Sequence, residues 1–170
     1  MAVTLEELNR LPVAEFTEKL GAIFEHSPWV AEQAAARRPF ADVAALHAAM
    51  VDVIEAAGEE AQVRLIRAHP ELGGKLAMRG ELTAESTQEQ AGAGLNQCSP
   101  EEFAALTDLN RRYGEKFGFP FILAVRGHNR QSIIGEFTRR IELAPEAEQA
   151  ESLRQIYRIG LFRLQDLVRD

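Results

Sequence analysis

The stretch Ser99-Pro-Glu-Glu-Phe-Ala-Ala-Leu-Thr-Asp-Leu-Asn-Arg-Arg-Tyr-Gly-Glu-Lys-Phe-Gly118 decides the fold class, because it contains the full set of signals for an amphipathic helix. Ser99 is a favoured N-cap residue, and a proline follows at the first helical position. Gly118 stands where a helix C-cap belongs. Between them, apolar residues recur every three or four positions, as on one face of a helix. They are Phe103, Leu106, Leu109 (or Asn110), Tyr113 and Phe117.

The same signals recur along most of the chain. Thr4 and Glu7 have the form of a capping box, Ser27-Pro28 is an N-cap followed by proline, and Gly58 is placed as a C-cap. Together with the apolar spacing, they predict further helices around residues 5–8 and 16–20 and over residues 29–36, 40–57, 59–68, 132–141 and 146–168.

Only one apolar run, Phe119 to Val125, could form an extended strand. Pro120 and the lack of a second such run argue against a sheet. No repeat and no long linker divides the chain. We therefore predict a single all-α domain over residues 1–170, with about seven to nine helices.

The composition is that of a globular domain. The 170 residues carry 19 Lys and Arg against 26 Asp and Glu, a net charge of −7, and 46% of them are apolar. An acidic chain without a basic block disfavours a nucleic-acid partner and a polybasic membrane anchor. The single cysteine, Cys98, excludes an internal disulfide, and no segment resembles a signal peptide or a membrane-spanning helix. We expect a cytoplasmic protein.

His69 is the strongest local candidate for proton transfer. It ends the helix predicted over 59–68, precedes Pro70 and faces a glycine-rich loop over residues 69–82. An imidazole titrates near neutral pH and suits general acid–base catalysis. The alternative is a helix-terminal histidine that interacts with the helix dipole. His26 is interpreted as a turn residue and His47 as a boundary residue, and no nucleotide or metal-binding motif is found in the sequence.

Two further stretches could bind a small molecule or serve the fold alone. Ser86-Thr-Gln-Glu-Gln90 has the form of a capping box, which is the favoured interpretation, although the small residues after it would let a ligand approach closely. The run from Phe119 to Val125, if not helical, needs partners for its backbone N–H and C=O groups, and a heterocycle could supply them. Arg126 could bind a carboxylate or pair with one of the many acidic residues.

Three motifs, taken in order, resemble one family. They are Ala68-His-Pro-Glu-Leu-Gly-Gly74, Leu82-Thr-Ala-Glu-Ser-Thr-Gln-Glu-Gln-Ala-Gly-Ala-Gly-Leu95 and Phe117-Gly-Phe-Pro-Phe-Ile-Leu-Ala-Val-Arg126. They are similar to 2-oxo-4-hydroxy-4-carboxy-5-ureidoimidazoline (OHCU) decarboxylase, the last enzyme in the conversion of urate to allantoin. The closing Arg163-Leu-Gln-Asp-Leu-Val168 is similar to the family too. The resemblance implies an all-α fold, no cofactor and a homodimer.

The resemblance also implies the residues of the site. His69 matches the family's catalytic histidine, and Glu89 matches the second catalytic candidate. The implied substrate-binding residues are Pro70, Ser86, Gln90, Phe121, Ile122, Leu123, Ala124, Val125 and Arg126. The implied substrate is an anionic heterocycle whose C=N bond can accept the electrons that are released as CO₂ leaves. Neither a metal nor an organic cofactor is then required.

Two other functions are compatible with the residues. A non-catalytic helical interaction module would use an exposed apolar face and would tolerate changes at His69 and Glu89. An enzyme of the same scaffold that acts on another small anionic heterocycle would be stabilised by allantoin-like ligands but would not turn over the urate-derived intermediate.

Overall fold

The computed structural model describes residues 2–73 and 82–169 of the chain. Within these ranges the protein is helical, apart from one pair of two-residue strands, so the all-α prediction is confirmed. The α-helices are α1 (Leu5–Arg10), α2 (Val13–Leu20), α3 (Pro28–Ala34), α4 (Val43–Ala57), α5 (Glu59–Ala68), α6 (Ala84–Gly92), α7 (Pro100–Phe117), α8 (Arg130–Arg140) and α9 (Pro145–Leu167). No helix of these ranges is long and apolar enough to cross a bilayer. Residues 74–81 of the predicted loop lie outside the described residues.

The remaining elements are short. Two 3₁₀ turns cover Ala35–Arg37 and Leu95–Gln97. Strands β1 (Val3–Thr4) and β2 (Val168–Arg169) pair in parallel, with Val3 opposite Val168. This contact was not predicted, because two-residue strands carry no alternating pattern.

Several helix ends follow the predicted caps. The Thr4 hydroxyl accepts a hydrogen bond from the Glu7 amide at the start of α1. At the start of α7, Ser99 and Glu102 each accept a hydrogen bond from the other's backbone amide, which completes a capping box. Gly118 ends α7 with φ 76°, a left-handed conformation that favours glycine.

Other helix ends differ from the predictions. The helix predicted over 40–57 begins only at Val43, because the Asp42 carboxylate caps it through the Ala45 amide. Phe40 lies before that helix, where its amide donates to the Asn9 side chain. The helix predicted over 132–141 begins at Arg130, because Asn129 is its N-cap. Each shift has the same cause: a capping side chain outside the apolar stripe fixes the end of the helix.

The chain divides into two compact units, one of Met1–Ala68 with Ile156–Asp170 and one of His69–Gln155. The first unit contains a buried core to which most of its helices contribute, with Leu8, Phe16, Val30, Leu46, Ile54, Ile66, Ile156 and Leu164 fully buried. Arg163 donates to the Glu25 carboxylate over 2.9 Å, and both side chains are buried. Part of the C-terminal motif is therefore tied into the core of this unit.

The second unit holds the other three motifs and an aromatic core. The ring of Tyr113 packs against four phenylalanine rings, with centroids 4.5 to 6.0 Å away. These phenylalanines are Phe117, Phe119, Phe121 and Phe137. Phe121 also stacks on Phe137 at 3.9 Å. Tyr113, on the buried face predicted for α7, is thus the centre of this core, whereas Phe103, predicted for the same face, is exposed.

Candidate functional site

His69 begins the second unit, directly after the last residue of α5. The helix stops there because Pro70 disfavours helical geometry in the residue before it. His69 is buried, with 7% of its surface exposed. The chain then turns through Gly73, whose φ of 64° is left-handed.

Two buried amide side chains hold the turn after His69. The Gln90 Oε1 atom accepts from the Gly73 amide at 2.9 Å, and its Nε2 atom donates to the Glu71 carbonyl at 3.3 Å. The Asn110 Nδ2 atom donates to the Leu72 carbonyl at 3.0 Å. Gln90 belongs to the second motif, so the structure joins the first motif directly to the second.

The stretch Ser86 to Gln90 of the second motif lies inside α6, and its predicted capping role is wrong. Thr83 is the N-cap of this helix, because its hydroxyl accepts from the Ser86 amide. Ser86 and Glu89 therefore lie within the helix. Residues three or four positions apart share a helix face, and this places Ser86 with Glu89 and Gln90. Ser86 and Gln90 are buried, and Glu89 is half-buried.

The third motif is neither helix nor strand from Pro120 to Val125, which agrees with the argument against a sheet. Residues 121–125 are all buried, so their backbone groups need partners. Arg140 donates from Nη1 to the Ile122 carbonyl at 2.5 Å, and the Ala124 amide donates to Gln155 Oε1 at 3.0 Å. The Val125 carbonyl accepts from the His128 amide at 2.9 Å. Three backbone groups are thus bonded within the protein.

Arg140 belongs to a buried ionic network. Its Nε and Nη2 atoms donate to the Glu148 carboxylate, and both side chains are fully buried. The Tyr113 hydroxyl donates to the same carboxylate at 2.5 Å. Burial and then the hydrogen bond to Glu148 raise the pKa of Tyr113 well above its ordinary range, so it stays a protonated donor. The guanidinium also lies over the Phe121 ring, 4.4 Å from its centroid.

The remaining predicted residues have different environments. Pro70 is half-buried, and Arg126 is exposed at the end of the third motif. His47 Nε2 lies 2.8 Å from the Tyr157 carbonyl in the first unit, as expected of a boundary histidine. The catalytic pairing of His69 with Glu89 stays a prediction.

The sequence interpretation missed the side chains that hold the motifs in place. Asn110 was placed on the buried stripe of α7 but given no polar role, and Arg140, Glu148 and Gln155 were not considered. One signal was available in α9, where Glu148, Ser152 and Gln155 follow one another at spacings of four and three. All three are buried. Polar residues at helical spacing on a buried face indicate a hydrogen-bonded network, because such groups are costly to bury alone.

Comparisons with known proteins agree on one family. Residues 9–165 match the family described as OHCU decarboxylase. The chain is 40% identical over 162 residues to the 2-oxo-4-hydroxy-4-carboxy-5-ureidoimidazoline decarboxylase of Haloferax volcanii, covering 95% of this chain and 94% of that protein. It is 42% identical over 165 residues to a bifunctional uric acid degradation protein of Bacillus subtilis, covering 97% of this chain and 33% of that protein. The chain thus spans about a third of the Bacillus relatives that it matches.

Solved structures show the same fold. A crystal structure of (S)-allantoin synthase matches with a TM-score of 0.76 and 28% identity, over 96% of this chain and 54% of that one. A structure of OHCU decarboxylase in the presence of (S)-allantoin matches with a TM-score of 0.68 over 89% of this chain and 95% of that one. At 20% identity, the second likeness is one of fold.

Proposed function

The chain belongs to the OHCU decarboxylase family, and we propose that it decarboxylates 2-oxo-4-hydroxy-4-carboxy-5-ureidoimidazoline to (S)-allantoin, the third step of urate degradation. The observation that carries the proposal is the contact between two of its motifs. Gln90 bonds the backbone on both sides of Leu72, so the helix that bears Ser86 and Glu89 is tied to the turn that follows His69. His69 and Glu89, the two residues assigned to catalysis, therefore lie on elements that are joined by hydrogen bonds.

The substrate's own structure explains why few catalytic groups are needed. The carbon that bears the carboxylate and the hydroxyl adjoins a C=N carbon, so the electron pair of the breaking C–C bond flows into the imine. In the proposed mechanism His69, oriented by Glu89, takes the hydroxyl proton as CO₂ leaves. The imine nitrogen, which has received the electron pair, takes one proton, and a second proton reaches one face of the former imine carbon and fixes the (S) configuration. Acid–base catalysis of this kind contributes about 10²- to 10⁴-fold.

We assign binding of the ring and the ureido group to Pro70, Ser86, Gln90 and the backbone of residues 121–125. The Ile122 carbonyl and the Ala124 amide are already bonded to side chains of the protein. Phe121 and Leu123 therefore offer the backbone groups best suited to meet a heterocycle. Arg126, which is exposed at the end of the segment, is assigned to an anionic group of the substrate.

We further propose that the chain acts without a cofactor or metal, as a single domain over residues 1–170, in a homodimer and in the cytoplasm. The family resemblance supports the homodimer and the absence of a cofactor. The net charge of −7 supports a small-molecule substrate over a nucleic acid.

Circular dichroism of allantoin formed from urate tests the reaction. Urate oxidase and hydroxyisourate hydrolase would generate the unstable substrate in place, with and without this protein. We expect an (S)-allantoin signal to develop only when the protein is present, because the slow spontaneous decay gives racemic allantoin. No (S)-allantoin signal in the presence of the protein would reject the decarboxylase and favour a binding module.

A substitution in α6 tests the role of Glu89. Glu89→Gln keeps the volume of the side chain and removes its charge, so we expect a large fall in turnover with an unchanged melting temperature. Glu85→Gln, in the first turn of the same helix, is the matched control and should keep full turnover. Equal activity of the two variants would show that Glu89 serves only the helix.

A further inference from the structure

The third motif is bonded to a side chain with no assigned function. The Arg140 Nη1 atom donates to the Ile122 carbonyl at 2.5 Å, and its guanidinium lies over the Phe121 ring. Arg140 is fully buried. A fully desolvated guanidinium is costly unless each of its donors has a partner, and this one places a donor on the backbone of the segment assigned to substrate binding.

The rest of the network holds this donor in one direction. Glu148 accepts from Nε and Nη2 of Arg140, which leaves Nη1 directed at Ile122. Tyr113 adds a donor to the same carboxylate. The planar guanidinium fixes the angle between its nitrogen atoms, so the pair with Glu148 sets where the carbonyl must lie.

We propose that Arg140 is a positioning residue for catalysis. Arg140 is held by Glu148 and fixes the Ile122 carbonyl and the Phe121 ring. It thereby positions the backbone groups that contact the substrate ring. The inference rests on the proposed function, because it assumes that residues 121–125 contact the substrate. Neither Arg140 nor Glu148 touches the reacting atoms in this account. Their effect passes through the backbone of the third motif.

The decisive variant replaces both members of the ion pair. Arg140→Met combined with Glu148→Met removes the donor to Ile122 without leaving a single buried charge, and such exchanges are often neutral for stability. A displacement near 1 Å can cost about 100-fold in catalysis. We therefore expect kcat/KM to fall by about 10- to 100-fold, with KM and the dissociation constant of (S)-allantoin rising together. The pH dependence of kcat should stay as in the wild type, because His69 is unchanged.

Tyr113→Phe is the matched control. It removes a hydrogen bond from the same carboxylate but leaves the contact between Arg140 and Ile122. We expect it to lower the melting temperature and keep the wild-type KM. If it raises KM as much as the double variant does, general loosening of the core explains the effect and the positioning role is wrong.

A further variant covers the case in which the double variant does not fold. Arg140→Lys keeps a charge beside Glu148, but its one nitrogen atom cannot replace the three that Arg140 uses for Glu148 and Ile122. The same rise in KM is expected. If the Arg140→Lys variant folds and has the wild-type KM, the positioning role is wrong, and the turnover of the wild type still supports the proposed function. If the wild type itself has no turnover, the proposed function is wrong.

Discussion

Replacing Gln90 by methionine should loosen the turn that follows His69. Methionine fills a similar volume but can neither accept from the Gly73 amide nor donate to the Glu71 carbonyl, as Gln90 does. Gln90 is 5% exposed and Gly73 is buried, so water cannot readily replace the lost acceptor. The change therefore tests whether Gln90 holds the backbone.

The two lost bonds differ in cost. The buried Gly73 amide would be left without its acceptor, which costs about 1–3 kcal/mol. Glu71 is exposed, so its carbonyl can turn to water and the loss there is on the order of 0.5 kcal/mol. We expect the free energy of unfolding to fall by about 1.5–3.5 kcal/mol.

Asn110→Leu is the matched comparison. It removes the donor to the Leu72 carbonyl, but it also removes the Asn110 Oδ1 atom, which is buried and has no hydrogen-bond partner among residues 2–73 and 82–169. The loss of one hydrogen bond and the removal of one unsatisfied acceptor offset each other. The free energy of unfolding should therefore change by less than about 1 kcal/mol.

Urea unfolding at constant pH, followed by circular dichroism, measures both variants. A Gln90→Met variant as stable as the wild type would show that Gln90 does not hold the turn after His69. If a variant of wild-type stability had lost its turnover, only the assignment of the Gln90 amide to the substrate would stand.

Two further predictions concern stability. Gly160→Ala would place a Cβ atom 2.7 Å from the buried ring of Phe24, so we expect thermal unfolding to show a loss of about 1–2 kcal/mol in the free energy of unfolding. Gly114→Ala has open space around the added Cβ atom and should gain up to about 1 kcal/mol. Equal shifts would contradict the packing argument. The backbone hydrogen bond from Ser99 holds the pKa of Glu102 below its ordinary value of 4.5. The ionised Glu102 carboxylate therefore stabilises the fold above that pH, and this stabilisation is lost as the pH falls through the lowered pKa. Glu102→Gln should therefore lose less stability between about pH 6 and pH 3 than the wild type does, and equal losses in urea unfolding would contradict it.

The sequence predicted those features that depend on neighbours along the chain. The start of α7 at Ser99 and its end at Gly118 follow from local caps, and the stripe that includes Tyr113 follows from helical spacing. Thr83 and Ser86 show the limit of this reasoning. Each can cap a helix, and the local pattern favoured Ser86 although the structure uses Thr83.

Contacts between distant residues could not be predicted in this way. Arg140 meets the carbonyl of Ile122 across 18 positions, and Gln90 meets the amide of Gly73 across 17. Neither pair has a periodic signature, because each depends on how helices pack. The family resemblance supplied the residues of the site, whereas the structure supplied the side chains that hold them.

The most direct test of the account is the initial rate of (S)-allantoin formation, followed by circular dichroism, for the wild type and His69→Ala. If His69 takes the hydroxyl proton, the variant should be slower by about 10²- to 10⁴-fold while its melting temperature and (S)-allantoin binding stay near those of the wild type. A folded His69→Ala variant with the wild-type rate would contradict the central claim.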